Sequence, residues 1–437
     1  MEVSAALHSP NEPKRGFFAS WHRTPLYLRI IGALILGVIV GQLMGERAAA
    51  FELPSKMILR LLSAMAPVLI LIAVMNALIT ANLAGKTAFK MVRLLILNTV
   101  VAILFGLAVA NIIQPGRGST LGKPASAEST NPDIVAQLYD NVPKSLLGPL
   151  GDNAKIIGVI FIAVAFGLAF RSLREEKSFP LFMSLLDLAM KALLRVLHWI
   201  IDIVPIGVFG VVASIVGVKG FSAFHSLGKF VIAVIIALLF QGAYYLLRVQ
   251  TGSWVRPLQL LRGARDAMVM AFSTASSTAT MPVTYSCLKD RVGLRRESAS
   301  MGALVGSNFN NDGTALYEAM AALFIAQVVG LHLSLGQQLI VVVTSIIAAV
   351  GAAGIPEAGL VTMTLVFTAV KLPVEYIPIL LTVDWFLDRC RTVINMMGDM
   401  NIACLLDGKT PPTAEEKEEE DAEALALEKS RLSDGTV

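Results

Sequence analysis

The chain has 437 residues, of which 55% are hydrophobic and only 16% charged, against about 25% charged in a typical soluble domain. Its mean hydropathy is +0.69, which argues against a soluble enzyme, and a net charge of +4 gives no strong basic field for nucleic acid. A bilayer core about 30 Å thick needs roughly 20 apolar residues per helix, and Leu26–Leu43, Met57–Ala81, Leu94–Ile113, Ile156–Phe170 and Val231–Leu247 are near or above that length.

Residues 1–24 are polar, and the apolar run after them leads into GERAAAFELPSK rather than a cleavage site, so that run is expected to be retained as a span. Lys14, Arg15 and Arg23 precede it, which places the N-terminal tail in the cytoplasm. The loops holding Lys86, Lys90 and Arg93, and then Arg171, Arg174 and Lys177, fall on the same side, and GRGSTLGKPASAESTNPD falls outside.

Six spans are expected at about 25–45, 55–83, 88–113, 136–172, 185–217 and 226–250. The fourth opens with the broken stretch NVPKSLLGPLGDN, and PIGVFG predicts an interruption in the fifth. Beyond residue 255 the pattern changes. The segment 258–288 is apolar at both ends and reads STASSTATMP at its centre, and 337–367 repeats the design around GAAGIPEAG. Arms of about a dozen residues are too short to cross, so each segment reads as a hairpin that enters and leaves on one side. The alternative is an ordinary helical hairpin with its tip outside the membrane. Each is followed by a long helix with polar residues inside it, at 297–327 and 375–406.

The fold class is therefore an all-α polytopic membrane protein, with eight transmembrane helices plus two re-entrant helical hairpins as inverted repeats. Secondary transporters commonly place substrate and ions in such broken helices. The organisation is a tail at 1–24, six spans at 25–250, a core of hairpins and last helices at 258–406, and an acidic, solvated cytoplasmic tail at 407–437. Cys287, Cys390 and Cys404 lack metal-ligand spacing and read as buried free thiols. No histidine lies among the polar clusters, which argues against an embedded enzyme.

Two clusters carry chemistry. In GSNFNNDGT, Gly306–Thr314, the residues Asn308, Asn310, Asn311 and Asp312 sit inside an apolar helix. Broken backbone at that depth is tolerated where it lines a cavity, and its carbonyl, amide and carboxylate oxygens suit a small hard cation. A polar helix–helix contact is the plainer alternative. In the last helix, Asp384, Asp388, Arg391, Asn395 and Asp399 are spaced 4, 3, 4 and 4, a stripe roughly 80° wide. Arg391 offers a planar fork for a carboxylate, and Asp388, one turn earlier, can hold an ammonium. The pair otherwise neutralises itself at i, i+3, which leaves Asn395 and Asp399 without a role. Glu318 can carry a proton or act as a fixed partner of Arg389.

These residues resemble the glutamate transporter family, the dicarboxylate/amino acid:cation symporters. The likeness is carried in order by AFSTASSTATMPVT, NNDGTALYEAMAALFIAQ, GAAGIPEAGLVTM and DWFLDRCRTVINMMGD, with PIGVF at 205–209. Glu318 and Arg389 make it look more like the animal excitatory amino acid transporters. The resemblance implies a homotrimer in which the early spans form a scaffold, with parts of spans 3 and 6 joining the mobile core. That core moves as an elevator-type transporter. It implies that Ser276 and Ser277 bind substrate, that Thr314 and Arg391 hold its side-chain carboxylate, Asp388 and Thr392 its amine, and Asn395 its α-carboxylate. The second hairpin, at Gly351–Gly359, would be the gate, with Gly354 among the substrate-binding residues.

For cations the resemblance implies one site of Gly306, Asn310, Asn395 and Asp399. A second keeps Thr99, Asn310 and Asp312, but has Leu95 near the place of a tyrosine and Asn98 where a hydroxyl is usual. At a third, Asn308 and Asn311 replace a small hydroxyl residue and a methionine. Asp399 favours sodium, because proton-coupled relatives tend to lack it. The expectation is sodium-driven symport of L-aspartate or L-glutamate in a cell membrane, plasma or inner, with both termini cytoplasmic. A proton on Glu318 can accompany it, and no cofactor is required beyond the transported ion. Proton-coupled uptake of glutamate or dicarboxylates, and a substrate-gated anion channel or sensor of the same fold, are the alternatives.

Overall fold

The computed structural model describes residues 26–80, 85–119, 142–151, 156–220, 222–351, 358–413 and 415–416. Among these there is no strand. Both tails, 1–24 and most of 407–437, lie outside the described residues.

The first six long helices are α1 (Leu26–Met44), α2 (Glu52–Thr80), α3 (Gly85–Ile113), α4 (Ile156–Ser172), α5 (Phe179–Lys219) and α6 (Ser222–Gly252). They follow the expected spans with one correction. Of the fourth span the described residues show α4 from Ile156 and, before it, a short 3-10 turn at Gly148–Gly151, in the stretch expected to be broken. Pro149 lacks a backbone donor, and the glycines on either side of it favour helix weakly. The interruption expected at PIGVFG is absent, for α5 runs continuously through Pro205. Val204, Val208, Val212 and Val216 bury one face of α5 on both sides of that proline against Ile30, Ile58 and Leu69. Tertiary packing thus outweighs the roughly 3 kcal/mol that an internal proline costs.

Helices α1, α2, α4 and α5 pack on one another, while α3 and α6 pack on each other and on the C-terminal helices. Close approach of α1 to α5 depends on Gly37 and Gly41, where an added Cβ would sit 2.9 and 2.6 Å from the carbonyl oxygens of Phe209 and Ala213. Leu36, Leu43, Leu61, Leu188 and Trp199 on these helices are exposed, a surface suited to lipid rather than water. Among the described residues Leu28–Pro54, Phe89–Ile113 and His225–Gly252 are long and apolar enough to cross a membrane.

The C-terminal part contains two helical hairpins. α7 (Pro257–Thr274) and α8 (Ser277–Ser286) meet at Ala275, which adopts the left-handed conformation (φ 52°) and closes α7 by donating to the Ala271 carbonyl at 3.0 Å. The long helix expected at 297–327 is in pieces: α9 (Arg296–Ser300), a π turn at Met301–Val305, α10 (Gly306–Phe309), then α11 (Asp312–Val328). Its break falls at Asn310 and Asn311, inside the polar cluster. α12 (Leu335–Gly351) packs on α13 (Ala358–Ala369) as the second hairpin, and the tip at 352–357 lies outside the described residues. The helix after the second hairpin, α14 (Ile377–Asp407), is unbroken.

The end of α14 is knotted to the segments before it. Asp407, its side chain fully buried, accepts from the Trp254 indole N–H at 2.6 Å and the Arg295 backbone N–H at 3.0 Å. The backbone N–H of Trp254 reaches the Gly408 carbonyl at 3.0 Å, and Arg295 also pairs with Glu416 at 3.1 Å. Cys287 and Cys404 are buried free thiols as expected, whereas Cys390 is half-buried.

Candidate functional site

The spacing of 4, 3, 4 and 4 puts one polar stripe of α14 against α11. Asp384, Arg391, Asn395 and Asp399 are buried, and Asp388 is half-buried. Arg391 is the largest fully buried side chain described. Its Nη2 donates to Asp388 Oδ1 at 2.7 Å and lies 2.9 Å from Asp384 Oδ1, so the i, i+3 pair does form. That pairing occupies one corner of the guanidinium. Nε and Nη1 have no hydrogen-bond partner among the described residues. Unpaired donors on a buried cation are costly, and a bidentate carboxylate fits a guanidinium edge. The guanidinium stacks over Tyr317 at 4.0 Å, and Gly359 of α13 lies on its remaining side, where a Cβ would stand 3.1 Å from Nη1. The second hairpin therefore closes directly on Arg391.

Around it, Asn395 Oδ1 accepts from the Gly313 N–H at 2.8 Å and Asn395 Nδ2 approaches the Thr314 hydroxyl at 3.4 Å. The Thr392 hydroxyl donates to the Asp388 carbonyl at 2.8 Å. Ser276 caps α8, its hydroxyl accepting from the Ala279 N–H at 3.2 Å, and Ser277 is the first residue of α8, which packs on α14 and α10. Gly354 lies outside the described residues. Arg389 donates to the carbonyls of Phe272 and Ser273 at 2.8 and 2.6 Å, a cation at the C-terminus of α7. Glu318 is fully buried and takes a short hydrogen bond from Thr362 of α13, while its Oε2 has no hydrogen-bond partner among the described residues.

The first expected cation group comes together. At Gly306 a Cβ would stand 2.8 Å from Asp399 Oδ1, and Asn310 Nδ2 donates to the Asn395 carbonyl at 2.7 Å. Asp399 Oδ1 and Asn310 Oδ1 are both buried without a hydrogen-bond partner among the described residues. Two orphaned oxygens beside backbone carbonyls form a hard donor set that fits a small cation. Among the described residues no group of three His, Cys, Asp or Glu side chains is arranged to hold a metal.

The second expected group differs. Asp312 already holds two hydroxyls, Thr99 at 2.6 Å and Tyr245 at 2.5 Å. Leu95 contributes its carbonyl to Thr99 at 3.0 Å. Asn98 is bound to Arg248 and Asn401, and its carbonyl to Gln241. Asn311 donates to the Ala349 carbonyl at the end of α12 at 3.0 Å, and nothing is described of the Asn308 side chain. Gln241, Tyr245 and Arg248, missed in the sequence reading, are spaced 4 and 3 in the apolar helix α6. That is the same signal that marks α14.

Residues 26–409 match the sequence profile of the Sodium:dicarboxylate symporter family. The chain is 28% identical to excitatory amino acid transporter 3 of Oryctolagus cuniculus, over 86% of this chain and 83% of that protein. It is 30% identical to an excitatory amino acid transporter of Caenorhabditis elegans, over 87% of each. With excitatory amino acid transporter 4 of Rattus norvegicus it shares 34% identity over 66% of this chain and 54% of that protein. The chain belongs to the sodium:dicarboxylate symporter family and is therefore a membrane transporter.

Proposed function

We propose that the protein is a sodium-driven secondary symporter of L-aspartate or L-glutamate. The observation that carries this reading is the buried Arg391 fork, with two donors that have no hydrogen-bond partner among the described residues, the carboxylates of Asp384 and Asp388 beside it and α13 against it. A substrate with a side-chain carboxylate satisfies the fork together with Thr314, its ammonium pairs with Asp388 and Thr392, and its α-carboxylate meets Asn395 and the Ser276–Ser277 tip. A plain dicarboxylate has no ammonium for Asp388. The named relatives, excitatory amino acid transporters, agree with an acidic amino acid.

Sodium binds at Gly306, Asn310, Asn395 and Asp399. Because Asn395 belongs to both groups, its carbonyl to the ion and its amide to the substrate side, occupancy of one orders the other. That shared residue supplies a coupling free energy between the two sites. Closure of 351–359 over Arg391 then seals the substrate. We further read α1, α2, α4 and α5 as a scaffold within a homotrimer, the remaining helices and hairpins as the moving core of an elevator, and the hairpins as re-entrant among eight spans. The dense packing of α1, α2, α4 and α5 on one another, and of α3 and α6 on the C-terminal helices, supports this division.

A second reading has one observation in its favour. Glu318 Oε2, which has no hydrogen-bond partner among the described residues, suits a carboxyl that carries a proton with the substrate, alongside sodium or in its place. Uptake of labelled L-aspartate into proteoliposomes under separately imposed sodium and proton gradients tests both. Accumulation that needs sodium supports the symporter, and accumulation on protons alone moves coupling to Glu318. Binding without accumulation under either gradient refutes coupled transport and leaves a channel or sensor.

A further inference from the structure

The cluster around Asp312 holds a positive charge that belongs to the protein. Arg248 of α6 donates through Nη1 to Asn98 Oδ1. Asn98 is completely buried, and its other contacts, Gln241 to its carbonyl at 3.2 Å and its own amide to Asn401 at 3.3 Å, fix the oxygen toward the guanidinium. The next residue, Thr99, donates to Asp312 Oδ1, and Tyr245, one turn before Arg248, donates to Oδ2. Arg248 is braced over the Tyr244 ring at 5.5 Å, and the residues on either side of its contact, Thr99 next to Asn98 and Tyr245 one turn along α6, both bind Asp312.

A fully buried carboxylate whose partners are neutral hydroxyls still needs a counter-charge. The amide oxygen of Asn98, the Thr99 hydroxyl and the Asp312 carboxylate are the donors a small cation would use for that purpose. Here a guanidinium occupies the amide oxygen, and arginine stays protonated at every accessible pH. We propose that Arg248 is a tethered cation that stands in for a transported ion at the Asn98–Thr99–Asp312 cluster. The inference rests on the sodium-symport reading and sets its coupling ratio. A free ion bound there would enter from one side and leave on the other, contributing its gradient to uptake. A charge fixed to α6 returns with the protein and contributes nothing, so this cluster neutralises Asp312 without adding an ion to the cycle.

The test is aspartate binding by calorimetry to the purified full-length protein, its R248Q variant and its R248K variant, across a range of sodium concentrations. R248Q is expected to show a steeper dependence of log Kd on log sodium by about one ion. Each tenfold change in sodium then shifts its aspartate affinity about tenfold further than in the wild type. R248K is expected to keep the wild-type slope. A nonzero slope shared by wild type and R248Q overturns the tethered cation, as does an R248K slope equal to that of R248Q. A wild-type slope of zero refutes the sodium reading itself, which is a different result. Should R248Q be too unstable to bind aspartate, its melting temperature against sodium serves instead. A rise with sodium steeper than in the wild type supports the proposal, and an equal or weaker dependence overturns it.

Discussion

Replacing Arg391 by cysteine removes the only guanidinium in the α14 stripe and leaves Asp384 and Asp388, both within 2.9 Å of it, without their shared cation. Two effects separate in magnitude. A charge-assisted hydrogen bond contributes about 1.5–3 kcal/mol, and the unpaired Nε and Nη1 offer two to a side-chain carboxylate. Their loss therefore weakens aspartate by roughly 3–6 kcal/mol, or about 10²–10⁴ in Kd at 1.4 kcal/mol per tenfold. Stranding the two aspartates costs folding stability in addition, by about 3–5 kcal/mol when one partner of a buried pair is deleted. A neutral amino acid such as serine uses only the groups that remain, so its affinity should change little by comparison. The assay is equilibrium binding of aspartate and serine at saturating sodium, with a melting curve of the same sample. R391C that stays folded and binds aspartate within about threefold of wild type would refute the assignment of the fork to the substrate.

Three further substitutions read other parts of the site. Gly359→Ala places a methyl 3.1 Å from Arg391 Nη1, an overpacking of about 1–3 kcal/mol. It should weaken aspartate by roughly tenfold or more with sodium affinity at Asp399 intact, and an unaltered aspartate Kd would show that α13 does not close on the guanidinium. Asp399→Asn removes the one carboxylate of the Gly306–Asn310–Asn395 group; half-saturating sodium should rise by about tenfold or more, at about 1.4 kcal/mol per tenfold, and an identical sodium titration would count against that ion site. Glu318→Gln keeps the hydrogen-bonding shape beside Thr362 and removes the titratable proton. Proton-driven uptake should disappear while sodium-driven exchange persists, and an unchanged response to an imposed proton gradient would move the proton elsewhere.

Some of this architecture could be read from residue order because the bilayer imposes a strong penalty. Polar side chains at spacings of 4, 3, 4 and 4 in an apolar helix are tolerated only where they face a cavity, and Asp384 through Asp399 do share one buried face. The polar cluster at 306–314 was legible for the same reason, though the helix expected to run through it is broken at Asn310 and Asn311. Partner identity was not. Nothing in the order of residues says that Tyr245 reaches Asp312 across 67 positions, or Arg248 reaches Asn98 across 150, since such pairings depend on which helices pack. Arg389 illustrates the point differently. It was weighed as a partner for Glu318, yet it donates to the carbonyls at the end of α7, a demand set by backbone that no residue type announces. Pro205 looked like a break because local propensity says so, but packing on both sides carried α5 through it.

The knot at Asp407 bears on how the chain is made. Trp254 and Arg295 precede Asp407 by 153 and 112 positions, so a ribosome threads every intervening segment before the acceptor exists. Until then the Trp254 indole and the Arg295 backbone N–H, both satisfied in the finished protein by the last residue of α14, lack that common anchor. Shape in this half of the molecule is accordingly acquired late, and a truncated chain arrives with its earlier helices inserted but unfastened. Fastening waits on Asp407: until the last turn of α14 is made, Trp254 and Arg295 have no common acceptor.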